Sequence, residues 1–256
     1  MLMIPLFQRV SWVAPNYNDQ LIPVSAGLMF LPGLSVAWLV LLVAGYRQVG
    51  TALTLAWGFA LLGFLDDLGG QEEHGGFRRH IKNLVQGTLT TGGLKALGGG
   101  FLAVTAAMQL GRGWLPIILG ALNIALSANL VNLLDLRPGR AIKSYLLLVI
   151  PFFFIISSVS LPIFRQLAAV GVPALAVIMV LAPYDLQSSV MLGDTGANLL
   201  GALAGLHFLI LNNVAVSILA FTVLAGLNYM AEKISFSQII ANSPVLTWFD
   251  RLGRPE

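Results

Sequence analysis

Long apolar stretches return along this chain, and most come close to the length needed to cross a bilayer. They cover residues 23–45, 51–65, 81–109, 114–133, 143–162, 167–183, 198–211 and 214–230. A membrane-spanning helix needs roughly 20 mostly apolar residues, and sliding hydropathy identifies such segments. Charged residues make up 10% of the chain, against about 25% in an ordinary soluble domain. The expected fold is therefore all-α: a polytopic integral membrane protein of about eight transmembrane helices in one domain, residues 1–256. The absence of cysteine excludes disulfides and thiolate metal sites. A formal charge of +3 is too small to suggest nucleic acid as a partner.

The distribution of positive charge gives an orientation. With both termini inside, Arg9, Arg78, Arg79, Lys82, Arg137, Arg140, Lys143, Lys233, Arg251 and Arg254 fall on the cytoplasmic side, and Arg47, Arg112 and Arg165 outside. Met1–Ala14 is apolar, but Arg9 interrupts it and no small-residue cleavage site follows, so residues 1–20 are expected to lie at the membrane interface. Residues 231–256 are expected to form a cytoplasmic tail.

One span is anomalous. Lys95 falls in the middle of 81–109, where a lysine costs roughly 2.5–3.5 kcal/mol on insertion scales. A helix bent at Gly92–Gly93 and Gly98–Gly100 and buried against protein would tolerate it, and so would a tilted helix with Lys95 snorkelling to a headgroup. Both readings stay open.

In this topology every Asp and Glu lies on the cytoplasmic side, as loops alone would explain. Four of them sit at helix ends: Asp66 and Asp67 close the second span, Asp135 closes the fourth, and Asp194 precedes the seventh. Converging carboxylates repel unless a cation or a proton relieves them, and an all-oxygen donor set favours Mg²⁺ or Mn²⁺.

Three segments carry this chemistry, each with a plainer alternative. In Gly63-Phe64-Leu65-Asp66-Asp67 the adjacent acids point about 100° apart on a helix, which gives them different tasks; paired acids also simply mark helix ends. In Asn129-Leu130-Val131-Asn132-Leu133-Leu134-Asp135 polar groups recur every third residue and share one side of a helix. Such a stripe is either a functional site or interhelical glue. In Gly193-Asp194-Thr195-Gly196-Ala197-Asn198 an acid opens a helix, as an N-cap or beside free N–H groups suited to a phosphate.

Taken together, in order and spacing, these segments resemble the polyprenyl-phosphate N-acetylhexosamine-1-phosphate transferase family (glycosyltransferase family 4). The resemblance runs from about Asn16 to Leu211. Asn18-Asp19-Gln20-Leu21-Ile22-Pro23 is similar to the family's polar entry loop, and Leu65-Asp66-Asp67 to its aspartate pair. Gly76 to Gln86 is similar to the following helix start, with Lys82 on the functional lysine; Asn129 to Asp135 and Gly193 to Gly196 match two further elements. The resemblance implies transfer of a sugar-1-phosphate from a nucleotide sugar, expected to be UDP-linked, to polyprenyl phosphate at the cytoplasmic face of a bacterial plasma membrane. It implies Asp194 as principal Mg²⁺ ligand (Mn²⁺ as substitute) assisted by Asp66 or Asp67, with the other of that pair handling or positioning the lipid phosphate. It casts Asp135 and Asn132 as orienting the metal shell or the donor. Asn129 and Lys82 join the substrate-binding set, with Lys82 on a diphosphate. Homodimerisation is left open.

The departures fall mainly on donor recognition. Asp135-Leu136-Arg137-Pro138-Gly139-Arg140 replaces the family's Asp-Gly-x-Asp-Gly, with Arg137 and Arg140 as candidate phosphate contacts. His74, His80 and His207 form no histidine-rich loop, and Met191 stands where an aromatic often precedes Gly-Asp. His207, inside a span, reads as a core histidine. Three classes therefore stand: an active transferase; a non-catalytic relative that binds polyprenyl phosphate or scaffolds envelope enzymes; and, last, a transporter, whose site belongs near the bilayer midplane.

Overall fold

The computed structural model describes residues 12–69, 90–154 and 159–255. Ten α-helices are present among them: α1 (Phe30–Val43), α2 (Gln48–Leu68), α3 (Thr91–Leu110), α4 (Trp114–Leu134), α5 (Arg140–Phe154), α6 (Leu161–Leu186), α7 (Gly193–Leu211), α8 (Val214–Ala231), α9 (Phe236–Ala241) and α10 (Pro244–Arg251). Seven described helical segments are long and apolar enough to cross a membrane: Ala26–Val43, which joins a short 3₁₀ turn to α1, and α2, α3, α4, α6, α7 and α8. The fold is an all-α polytopic membrane protein. α5, of 15 residues, starts beside the end of α4, and α6 ends at that same place, Gly139 N–H donating to Asp185. Both described ends of the chain lie at one end of the bundle, Trp12 against Phe64 and Arg254 against Pro138.

The helix centred on the bundle axis is α7. Its span is 89% buried inside the protein, against 17% for α8 at the periphery. Lipid tails give no hydrophobic drive between helices, so close packing of small residues must hold them together. α7 supplies these: a Cβ on Gly201 would lie 2.4 Å from the Ser127 carbonyl oxygen of α4, and one on Gly205 2.4 Å from the Ile124 Cα. On the α2 side, Gly63 backs onto Asp194, where a Cβ would meet the carbonyl oxygen at 2.3 Å. His207 is fully buried on α7, its Nδ1 against the Leu203 carbonyl oxygen at 2.7 Å, in keeping with a core role.

The N-terminal region holds structure that the sequence pattern did not announce. Strands β1 (Val13–Pro15) and β2 (Leu21–Pro23) pair antiparallel, Val13 opposite Pro23. Asn16 closes the turn by accepting from the backbone N–H groups of Asn18 and Gln20 through its Oδ1, an Asx-type turn. The hairpin is tied to the start of α7: Met191 N–H donates to the Pro23 carbonyl at 2.8 Å, and Ala26 N–H to the Met191 carbonyl at 3.0 Å.

Two expectations change. Of the span read as 81–109, residues 81–89 lie outside the described ones, and the described helix starts at Thr91, capped by the Thr90 hydroxyl on Gly93 N–H at 3.0 Å. Lys95 therefore sits in the second turn of α3, near its N-terminal end. The tail 231–256 contains α9 and α10, the latter docked on the start of α5. Lys82, with Arg9, Arg78, Arg79, His74 and His80, lies outside the described residues.

Candidate active site at one end of the bundle

Asp66 and Asp67 close α2, and the turn of about 100° between adjacent helical residues sends them to different partners. Asp67 faces the start of α7. Its two carboxylate oxygens accept from Asp194 N–H (2.9 Å), Thr195 N–H (3.2 Å), the Thr195 hydroxyl (2.6 Å) and the Ser25 hydroxyl (2.8 Å). The N-cap residue of α7, Leu192, has no side-chain cap to offer, so Asp67 supplies that cap from another helix. A carboxylate is well placed there, against free N–H groups and the positive end of the helix dipole. Two backbone features permit it. Gly193 takes φ +66°, and a Cβ there would lie 2.6 Å from Asp67 Oδ2; Ser25 holds a left-handed φ of 62° that directs its hydroxyl to the same oxygen. The N–H groups considered above for a phosphate are therefore filled by Asp67.

Asp66 points instead toward Asp194, with Lys95 between them. The Lys95 ammonium donates to Asp66 Oδ2 at 2.6 Å and to Asp194 Oδ2. All three side chains keep partial access, 20% for Asp66 and Lys95 and 30% for Asp194. Asn132 of α4 approaches the same Asp194 oxygen through Nδ2 at 3.5 Å, while its own Oδ1 is buried without a partner among the described residues. Asn198, one turn along α7, donates to the Asp194 carbonyl at 2.6 Å and steadies the first turn.

The polar stripe on α4 fans out. Each step of three residues falls about 60° short of a full turn, so Asn129, Asn132 and Asp135 reach three places. Asn129 donates to Asn228 Oδ1 of α8 at 2.6 Å, away from the aspartates. Asn132 meets Asp194. Asp135, the C-cap of α4, lines a cavity of about 110 Å³ together with Tyr17, Arg137, Pro138, Asp185 and Met191. Burial, and then the neighbouring carboxylates Asp185, Asp194 and Asp67, push the Asp135 carboxyl well above the ordinary carboxylate range.

The two arginines part company. Arg137 is exposed and lies over the Tyr17 ring at 4.5 Å, at the rim of this cavity. Arg140 is buried and grips Asp250 of α10 with two nitrogens, Nε at 2.7 Å and Nη2 at 3.0 Å, while Nη1 donates to the Ser237 hydroxyl. The substrate-binding role expected of Arg140 does not agree with this engagement: its guanidinium is spent on clamping the C-terminal helices. Arg254 adds a contact to Asp250 Oδ1 at 2.8 Å. Burial disfavours charge on Asp250, but Arg140 and Arg254 outweigh it and hold its carboxyl below the usual range.

The chain is similar to a known enzyme. Over 264 residues it is 28% identical to the phospho-N-acetylmuramoyl-pentapeptide-transferase of Moorella thermoacetica. The alignment covers 91% of this chain and 77% of that protein, the similarity of a distant relative. No family model matches the chain.

No cluster of three or more His, Cys, Asp or Glu side chains suited to a metal ion occurs among the described residues. Mg²⁺ asks for less, since it is usually bound by one or two carboxylates plus water and substrate phosphate. Asp66, Asp194 and the unpartnered Asn132 Oδ1 fit that requirement. Sequence reasoning left Lys95 without a role and passed over Ser25, Asp185 and Asp250. The signal for Lys95 was present in its being a charge inside an apolar span. Asp185 accepts from Gly139 N–H at 2.7 Å and so shapes the turn after Asp135, a contact between distant segments that no local pattern announces.

Proposed function

We propose that the chain transfers a sugar-1-phosphate from a nucleotide-activated sugar to polyprenyl phosphate at the cytoplasmic membrane face, in cell-envelope glycan synthesis. The observation that carries this reading is the meeting of Asp66, Asp194, Asn132 and Lys95 at the end of a membrane-embedded bundle. Similarity along most of its length to a phospho-N-acetylmuramoyl-pentapeptide-transferase supports it. The position suits both substrates: a lipid phosphate rides at headgroup depth, and a nucleotide arrives from water.

In this reading an oxygen of the lipid phosphate attacks the sugar-linked phosphorus of the donor. A new P–O bond forms, the P–O bond to the nucleoside monophosphate breaks, and the leaving group takes the electron pair. Bound Mg²⁺ would neutralise phosphate oxygens and the charge that develops on them. Asp194 and Asp66 would hold it, with Asn132 orienting the shell. Asp67, its oxygens committed, keeps Asp194 in place by capping α7. Lys95 supplies a second positive charge. Asp135 and Arg137, on the neighbouring cavity, face the donor.

The test is Mg²⁺-dependent release of nucleoside monophosphate from membranes given polyprenyl phosphate and a panel of nucleotide sugars. Release that stops on chelation supports the reading; no release and no exchange with any donor refutes it.

A further inference from the structure

Lys95 bridges the two acids of the site. Its ammonium sits where two carboxylates from different helices converge, and it is their direct partner. Two acids brought together at a membrane site repel each other, and the ammonium bridging them relieves that repulsion where α2 and α7 meet, before any ligand arrives. That cation is tethered to a third helix, on a long and flexible stem.

Lys95 engages Oδ2 of both carboxylates, and a divalent cation bound through those same two oxygens would crowd the ammonium. Metal oxygens lie at about 2.0–2.1 Å around Mg²⁺, which would place the two positive centres against one another. We infer that Lys95 is a displaceable counter-ion of the Asp66–Asp194 pair: it holds the pair together in the resting protein, is driven out by the divalent cation, and then positions diphosphate oxygens at the metal. The metal takes the two carboxylates and the lysine from net negative to net positive, which favours a polyphosphate. Metal and diphosphate binding are thereby coupled through one side chain. This inference rests on the proposed metal-dependent transfer, and its test needs no turnover.

The experiment titrates Mn²⁺ into purified wild-type, Lys95→Met and Lys95→Arg proteins, reading free Mn²⁺ by electron paramagnetic resonance, with and without inorganic pyrophosphate. Without pyrophosphate, K95M should bind Mn²⁺ at least about tenfold more tightly than wild type, a gain of about 1.4 kcal/mol, because its competitor is gone. K95R should stay within a few-fold of wild type. Pyrophosphate should tighten Mn²⁺ binding to wild type, and this gain should be lost in K95M. Equal or weaker Mn²⁺ binding by K95M than by wild type overturns the counter-ion role while leaving the metal reading intact. A K95M protein that no longer folds in detergent leaves K95R to decide: the inference fails if wild type and K95R bind Mn²⁺ without any gain from pyrophosphate. Absence of Mn²⁺ binding in all three proteins overturns the metal reading itself, and the counter-ion role with it.

Discussion

Asp66 and Asp67 are neighbours in sequence, yet the structure predicts opposite consequences for removing them. Asp67→Ala takes away four hydrogen bonds at the start of α7 and leaves the N–H groups of Asp194 and Thr195 without their acceptor. Loss of a helix cap costs about 1 kcal/mol, and each polar group stranded in a buried setting costs about 1–3 kcal/mol. Since these effects overlap, a total of about 3 kcal/mol is expected. For a chain of this size that lowers the melting temperature by about 6–12 °C, at 2–4 °C per kcal/mol. Asp66→Ala removes one partner of Lys95 but leaves it paired with Asp194. At such partly exposed positions ion pairs contribute about 0–1 kcal/mol, so the shift should stay below about 4 °C. Both variants, purified in one detergent, can be compared by thermal unfolding followed through intrinsic tryptophan fluorescence. Turnover should fall in both, but only Asp67→Ala should lose stability. Equal melting temperatures, or a lower one for Asp66→Ala, would refute the capping role given to Asp67.

Further outcomes follow from the same geometry. Asp194→Asn should lower turnover about a hundredfold or more with membrane insertion unchanged, measured by nucleotide release and by protein yield in membranes; undiminished turnover removes Asp194 from the site. Asp135 has a raised pKa, so its ionisation opposes folding increasingly as pH climbs from the ordinary carboxylate value of about 4 through the folded value. Asp135→Asn should therefore melt higher than wild type at neutral pH and show little difference near pH 4, as scanned by melting temperature against pH. Arg140→Ala strands Asp250 with Arg254 alone and should cost about 3 kcal/mol, releasing α9 and α10 to protease cleavage between residues 232 and 243. Because the Asp250 carboxyl is held low, its contribution is present above about pH 4 and is lost only as pH falls through the lower folded value. Wild type should therefore resist cleavage at pH 5.

Most of the helices were legible in the chain. The apolar windows 114–133 and 214–230 differ by one residue at one end from α4 and α8, because length and apolarity decide a span. The start of α7 was read late, at 198, since Gly193-Asp194-Thr195 is polar; its helical state depends on a cap reached across the bundle. The helix boundary at Thr91 inside the predicted span 81–109 escaped for the same reason: hydropathy does not register where Thr90 caps. The short hairpin around Asn16 escaped notice because its strands are three residues each and gain their stability from the edge of α7.

The sequence by itself determined that this chain lives in a membrane, how its spans alternate, and that Asp66, Asp67, Asp135 and Asp194 gather at one end of them. Those properties depend on composition and on helical length, which are local. Only the tertiary structure decided what each acid does. The pairs that define the site join residues 29, 99, 127 and 128 positions apart. They depend on helix rotation and on the glycines that let α2, α4 and α7 approach. A rotation of one residue on α2 exchanges the roles of Asp66 and Asp67, and no periodicity in the chain specifies that rotation. Packing of α7 against Gly63 and Ser25 does.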